Sequence, residues 1–372
     1  MLRALNLKWF ALGIILFFGF VVVAIWIYKL PAPPVSALDK ARLAISSAQK
    51  SHSGKYSSKL FNESVVLYDS AMYFWAIENK KFFLNRRYDK IARLARQSYD
   101  KAIKAKRSSK TNQANLKSRL SSRISEIDLI VRNFDRNFSK LPIASGLKTR
   151  EVRAKLLYAE GKMAFNKSDY ISAAEKIDKG GDDIEDVYNI SKKRMQEYFQ
   201  EYKHWVKNFD DAVSQSRKKE STVIIVEKLA TSCYLYKSGQ LINTWEAEFG
   251  KNWIGDKRQR GDYATPEGVY YITNKKNGSS TTYYKALPIN YPNEADKEKF
   301  AKQKRNGSIS TNTGIGSNIQ IHGGGGRGAH WTEGCIALSN SAMDKIFSEV
   351  GIGTPVVIIG SLRKFDDIFK FD

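Results

Sequence analysis

Cysteine and histidine are scarce in this chain, with two and four copies in 372 residues. Two cysteines exclude a small scaffold stapled by several disulfides and leave either one bridge or a lone reactive thiol. Proline is nearly as rare. Between Pro34 and Pro266 the only proline is Pro142, and so long a stretch without proline favours helix. Acidic side chains are outnumbered by basic ones, 38 to 61, for a formal net charge of +23. That balance attracts polyanions (nucleic acid, anionic lipid, anionic wall polymer) without choosing among them. Hydrophobic residues make up 42% of the chain, which excludes wholesale disorder.

One segment does suggest a location. Trp9 to Tyr28 carries no charged residue and is rich in Phe, Ile, Val and Leu. About 20 residues at roughly 1.5 Å rise match a bilayer core of roughly 30 Å. Arg3 and Lys8 precede the segment, and the positive-inside rule then keeps the N-terminus cytoplasmic. Val22-Val23-Ala24-Ile25-Trp26 is too bulky for a signal-peptidase site. The expectation is an uncleaved single-pass anchor in an inner or plasma membrane, with the remainder on the periplasmic or extracytoplasmic side.

The expected organisation is a cytoplasmic tail (1–8), an anchor (9–28), a Pro-rich linker (29–37), a helical region (38–217), a mostly-β domain (221–362) and a tail (363–372). Ala37, Ala41, Ala44 and Ala48, and later Ile91, Leu94, Ala95 and Tyr99, recur at helical spacing. Pro142 and Gly146 mark a turn between two helical halves. Phe83 to Ala92 aligns without gaps to Phe165 to Ala174, an echo that resembles the turn of a tetratricopeptide-like helix pair. Such a region serves as a spacer or docks a protein partner. Lys101 to Arg123 is densely basic and free of acids. It reads as a solvated face and loop, with no nucleic-acid motif beside it. After Glu220 the texture changes. Thr222–Val226, Val269–Ile272, Asn318–Ile321 and Val356–Ile359 read as strands, and Ser232–Lys237 with Leu241–Glu246 as a hairpin about Ser238-Gly239.

The chemistry concentrates near the C-terminus, in Ile321-His322-Gly323, a glycine-rich loop, then Thr332-Glu333-Gly334-Cys335-Ile336. A thiol is reactive as its thiolate, and a neighbouring imidazole generates it. These residues, with Thr265-Pro266-Glu267-Gly268-Val269-Tyr270 upstream, resemble the L,D-transpeptidase (YkuD-type) catalytic domain of bacterial cell-wall enzymes. The resemblance covers the last 140 or so residues and says nothing about the helical region. Together with the segments read above, the expected fold is of α+β class: an N-terminal transmembrane helix, an all-α tetratricopeptide-like hairpin region and, as the resemblance implies, a C-terminal mostly-β YkuD-like catalytic domain.

The resemblance further implies that Cys335 is the nucleophile and His322 the base. The Gly323 carbonyl orients the imidazole, and N–H groups around Gly334 and Cys335 hold the oxyanion. The implied substrates are peptidoglycan stem peptides, cleaved at the bond to a terminal D-alanine and joined to an acceptor through a thioester. No metal or organic cofactor is implied. Two positions depart from the family pattern. Glu333 stands where histidine is frequent, and Ala337 where many members carry an arginine for a substrate carboxylate. Arg327 is the candidate replacement, with Thr332 and Tyr291 as further substrate-binding candidates. The run Tyr284 to Asn293, with Ala337, resembles a subgroup that includes hydrolytic members.

Other readings stay open at this point. A hydrolase using the same Cys/His pair releases cross-bridges or wall-attached protein to water. A non-catalytic peptidoglycan-binding protein needs no thiol. His322-Gly-Gly-Gly also resembles a lipase oxyanion loop, but no Gly-x-Ser-x-Gly elbow follows it. His322, His330, Glu333 and Cys335 match no familiar zinc spacing. His330 is an alternative base, and Cys233 is an alternative disulfide partner or an ordinary core thiol.

Overall fold

The computed structural model describes residues 2–28 and 32–371, and the side chains of residues 2–8, 24 and 26–28 are not described. The helices of the N-terminal part are α1 (Leu2–Tyr28), α2 (Val35–Lys50), α3 (Ser53–Tyr56), α4 (Ser58–Asn79), α5 (Asp89–Asn137), α6 (Ser145–Asn166), α7 (Tyr170–Tyr198) and α8 (Tyr202–Lys218). The chain packs as two units: Met1–Arg123 with Met163–Ala174, and Ile124–Lys162 with Glu175–Asp372.

The expectation of a transmembrane anchor over 9–28 is overturned. Among the described residues no helix is long and apolar enough to cross a membrane. The segment itself lies within helix α1. The single-pass location and the membrane as partner fall with it. Residues 29–31 of the expected linker lie outside the described residues.

In the first unit the alanine stripe of α2 does what its spacing predicts. Leu38, Ala41, Ala44 and Ala48 are buried, and Leu38 and Ala41 share a core with Ala71, Tyr88, Ile91 and Ala95. Small side chains let the helices approach closely. The two echoed segments occupy equivalent places: Tyr88 immediately precedes α5 and Tyr170 begins α7, and both are buried. The basic stretch 101–123 contains no loop. It lies wholly within α5, 49 residues long, because nothing in it breaks a helix. Pro142 falls between α5 and α6, and Gly146 is the second residue of α6.

The second unit holds nine strands: β1 (Thr222–Glu227), β2 (Ser232–Lys237), β3 (Gln240–Glu246), β4 (Gly268–Tyr271), β5 (Lys276–Asn277), β6 (Lys285–Pro288), β7 (Gln320–His322), β8 (Ile336–Ala337) and β9 (Pro355–Ile359). Three further helices are α9 (Glu294–Arg305), α10 (Asn340–Glu349) and α11 (Phe365–Ile368). The five-stranded sheet runs β3-β2-β1-β9-β4 and the four-stranded sheet β5-β6-β7-β8. β1 and β9 pair in parallel, and their run from Val223 to Val226 and from Val356 to Ile359 is buried throughout. Continuous β-branched segments of this kind suit a strand covered on both faces. The β2–β3 hairpin turns at Ser238 and Gly239, both with positive φ, which matches the twist of the paired strands.

Helix α8 packs on the five-stranded sheet, with Phe209 edge-on to Tyr236 at 5.7 Å. The last residues return to the same core. Phe369 stacks on Phe138 at 5.8 Å, and Asn137 exchanges two hydrogen bonds with the Lys370 backbone, at 2.8 and 3.0 Å.

Candidate active site

His322 is the last residue of β7 and is fully buried. Its Nδ1 lies 2.7 Å from the Gly323 carbonyl oxygen. A carbonyl only accepts, so the Nδ1 carries the proton and Nε2 is the bare acceptor. That Nε2 is buried and has no hydrogen-bond partner. Tyr283 stacks on the ring at 3.7 Å and Trp331 meets it edge-on at 5.9 Å. Burial pushes the imidazole pKa below its ordinary 6.5; the Gly323 carbonyl opposes the shift and the Arg327 charge adds to it. A buried cation is penalised, so the ring is neutral and basic at neutral pH.

Cys335 immediately precedes β8, which pairs in parallel with β7: Ile321 faces Ile336 and His322 faces Ala337. The base and the thiol thus belong to neighbouring strands, with His322 opposite Ala337, two residues beyond Cys335. The Cys335 side chain is half-buried, and its Sγ is 3.6 Å from the Asn318 carbonyl oxygen. Burial raises the thiol pKa, the Gln320 backbone N–H and the Lys257 charge pull it down, and Glu333 raises it again. Both groups thus rest uncharged, the thiol by its raised pKa and the imidazole by its lowered one.

The turn leading to Cys335 is built by its own residues. The Thr332 hydroxyl donates to the Cys335 carbonyl at 2.7 Å and accepts the Gly334 N–H at 3.2 Å. Gly334 has φ +133°, and a Cβ there would stand 2.7 Å from the Ala264 carbonyl oxygen. Only glycine fits a backbone pressed this closely onto another. The Thr-Pro-Glu-Gly segment is therefore the floor of the turn, since Ala264 directly precedes Thr265.

A carboxylate that the sequence pattern did not single out organises the glycine-rich loop. Glu248 is buried and accepts the backbone N–H groups of Arg327 and Gly328 and the indole N–H of Trp331, the last two at 2.8 and 2.7 Å. Its own backbone bridges to Ala337. In sequence it is one of several acidic residues beside a strand, and no motif marks it. Tyr283 and Trp331 were likewise invisible as ring walls, because their contacts cross from loops to strands.

The remaining candidates divide. Arg327 lies over the Trp331 ring at 3.6 Å and donates from Nε to the Gly324 carbonyl at 3.0 Å; its charge is felt at His322. Thr332 is buried in the turn. Tyr291 is elsewhere: its hydroxyl donates to the Ile315 carbonyl at 3.3 Å, and it lines a cavity of about 620 Å³ with Lys257, Asp262 and Asp296, whose walls include neither His322 nor Cys335. His330 accepts the Phe249 N–H on its Nδ1 at 3.0 Å and stacks on the Phe249 ring at 5.3 Å. Ala337 is fully buried, which leaves no room for an exposed arginine there. Cys233 and Cys335 are both free thiols. Among the described residues no group of three or more His, Cys, Asp or Glu is arranged to hold a metal ion.

Comparison with known proteins agrees with the motifs. Residues 221–358 match the YkuD family, described as the L,D-transpeptidase catalytic domain. The "Putative L,D-transpeptidase YafK" of Escherichia coli (strain K12) is 27% identical over 132 residues, 36% of this chain and 45% of that protein. The chain thus spans less than half the length of this curated relative. Among solved structures, that of Bdellovibrio bacteriovorus Bd1075 is 24% identical, covers 38% of this chain and 49% of that one, and has a TM-score of 0.29. An L,D-transpeptidase from Mycobacterium smegmatis is 14% identical, with 38% and 59% covered and a TM-score of 0.26. The part of the chain from residue 221 to 358, which contains both His322 and Cys335, thus matches the model of the YkuD family, the L,D-transpeptidase catalytic domain.

Proposed function

We propose that this chain is a cell-wall enzyme that transfers an acyl group from one peptidoglycan stem peptide to another through Cys335. The observation that carries this reading is the buried, unpartnered His322 Nε2 on the strand beside the one Cys335 enters. An acceptor without a donor in a water-poor site costs free energy, and a substrate-bound proton transfer is what uses it.

In this mechanism Nε2 takes the Sγ proton as sulfur attacks the carbonyl carbon of the residue preceding the terminal D-alanine. The Gly323 carbonyl stabilises the imidazolium through Nδ1–H, the orienting part a carboxylate plays in a Ser-His-Asp triad. Backbone N–H groups at the turn stabilise the oxyanion, each worth roughly 2.7–4 kcal/mol in other systems. The Gly334 N–H has to leave the Thr332 hydroxyl to take part. The C–N bond then breaks, Nε2 returns its proton to the departing D-alanine amine, and a thioester remains. An acceptor amine gives its proton to Nε2 and displaces Cys335, forming the cross-link. Arg327, over Trp331 at the loop, is the proposed contact for a substrate carboxylate.

A second reading keeps the same thioester and makes water the acceptor. The buried Ala337 favours it, because the position from which many members grip the donor carboxylate carries no charge here.

The test is incubation of the full chain with disaccharide tetrapeptide, read by mass spectrometry. Cross-linked dimer that has lost one D-alanine supports transpeptidation. Tripeptide alone supports the hydrolytic reading. Normal turnover by Cys335→Ala would sink both.

A further inference from the structure

Lys228, directly after β1, is fully buried. Its Nζ donates to the Gly255 carbonyl at 2.6 Å, the Thr265 carbonyl at 2.9 Å and Glu267 Oε1 at 2.7 Å. Three donors thus meet three acceptors. Glu267, also buried, accepts two more bonds: the Tyr198 hydroxyl on Oε1 at 2.6 Å and the Trp205 indole N–H on Oε2 at 3.0 Å. Its own N–H is held by Asp256 Oδ1 at 2.8 Å. Tyr198 ends α7 and Trp205 lies in the first turn of α8, so two helical residues terminate on one carboxylate of the catalytic domain. Gly360 is the slot that admits them, since a Cβ there would stand 2.4 Å from the Trp205 ring and 2.6 Å from the Tyr198 oxygen.

Desolvating both members of an ion pair is expensive, and a well-packed apolar pair often serves stability as well. What an apolar pair cannot do is fix direction. The network ends on the very segment that floors the nucleophile turn. Lys228 clamps the Thr265 carbonyl; the Thr265 hydroxyl accepts the Gly250 N–H at 3.1 Å; and the Ala264 carbonyl lies against Gly334.

We propose that Glu267 is a positioning residue through which Lys228, Tyr198 and Trp205 hold the Ala264–Thr265 backbone beneath Gly334, so that the α7–α8 junction sets the reactivity of Cys335. The proposal rests on the acyl-transfer reading for what Cys335 does, but not for where the turn lies. None of the four residues touches the reacting atoms. They act through one backbone segment, and a displacement of about 1 Å at such a turn is enough to cost on the order of a hundredfold in rate.

The experiment uses the full chain with Glu267→Gln, Tyr198→Phe and Trp205→Phe. Glu267→Gln keeps the shape and removes the charge; the other two each remove one donor and keep a ring. Three quantities are read: the rate of Cys335 alkylation by iodoacetamide across pH, kcat and KM on disaccharide tetrapeptide, and Tm. Cys233 is buried and does not compete for the reagent in the folded protein. The expected result is alkylation and kcat both reduced by about tenfold or more, with KM within about twofold of wild type. A lowered Tm with unchanged alkylation and kcat would overturn the proposal and leave the network a fastening only. Should Glu267→Gln not fold, the two donor-deletion variants decide by the same criterion. A wild-type chain that turns over no stem peptide defeats the acyl-transfer reading instead, and the alkylation comparison still settles the positioning claim.

Discussion

The two sheets of the second unit each carry one cysteine, and they treat it in opposite ways. Cys233 sits inside the five-stranded sheet, opposite Val226 on one side and Trp245 on the other. It is fully buried, and burial alone pushes its thiol up to about 12. Cys335 stands at the rim of the four-stranded sheet, half-buried, with a backbone N–H and a lysine charge offsetting part of the burial. The same side chain is packing in one place and a candidate nucleophile in the other. Position along a strand makes the difference: an interior residue has neighbours on both sides, whereas a residue entering a strand from a turn keeps one side open to a substrate.

The largest test of this contrast is Cys335→Ala. Stem-peptide turnover should fall by on the order of 10⁴ or more, to background, because the reaction loses its covalent route. Mass spectrometry of the product mixture measures it. Next comes the base. His322→Ala should cost roughly 10²–10⁴ in kcat, whereas His330→Ala should lower Tm, since it strands the buried Phe249 N–H, and leave kcat within about tenfold. Equal losses in kcat for the two variants would break the assignment of His322.

The pH dependence sharpens the same point. Burial lowers the His322 pKa, so the basic form persists to lower pH than for a free imidazole. The acid limb of kcat/KM should therefore lie below pH 6.5. An acid limb above that value would mean that the resting imidazole is not the buried, neutral ring seen here. The smallest effect belongs to Cys233→Ala. Turnover should stay within about twofold, while urea unfolding reports a loss of about 1 kcal/mol for the smaller side chain in the core.

Much of this was legible in the chain. The strands read from Thr222–Val226, Val269–Ile272, Asn318–Ile321 and Val356–Ile359 all exist within a residue or two, because β-branched runs have few other uses. The hairpin at Ser238-Gly239 was equally plain. The turn at 332–335 was recognisable since glycine beside cysteine in that order is a specific signal. The first segment misled: its composition reads as an anchor, and among the described residues no helix qualifies as one. The helical run through 101–123 was misread in part, because charge density says how a surface is solvated and not whether the backbone beneath it is helical. Tyr291 was grouped with the site by its place in a motif-like run, and it lines a cavity whose walls include neither His322 nor Cys335.

By itself, then, the amino-acid sequence determined the local features, which segments pair as strands and which turns demand glycine, and it singled out two side chains as candidates for thiol chemistry. Those depend on residue types at short spacing, where sterics and hydrogen bonding act between near neighbours. Only the tertiary structure decided that Glu248 holds the loop, that Tyr283 and Trp331 enclose His322, and that Glu267 gathers Lys228, Tyr198 and Trp205 onto one carboxylate. Each of these joins residues tens of positions apart, and buried hydrogen bonds between such residues follow from packing that no local pattern encodes.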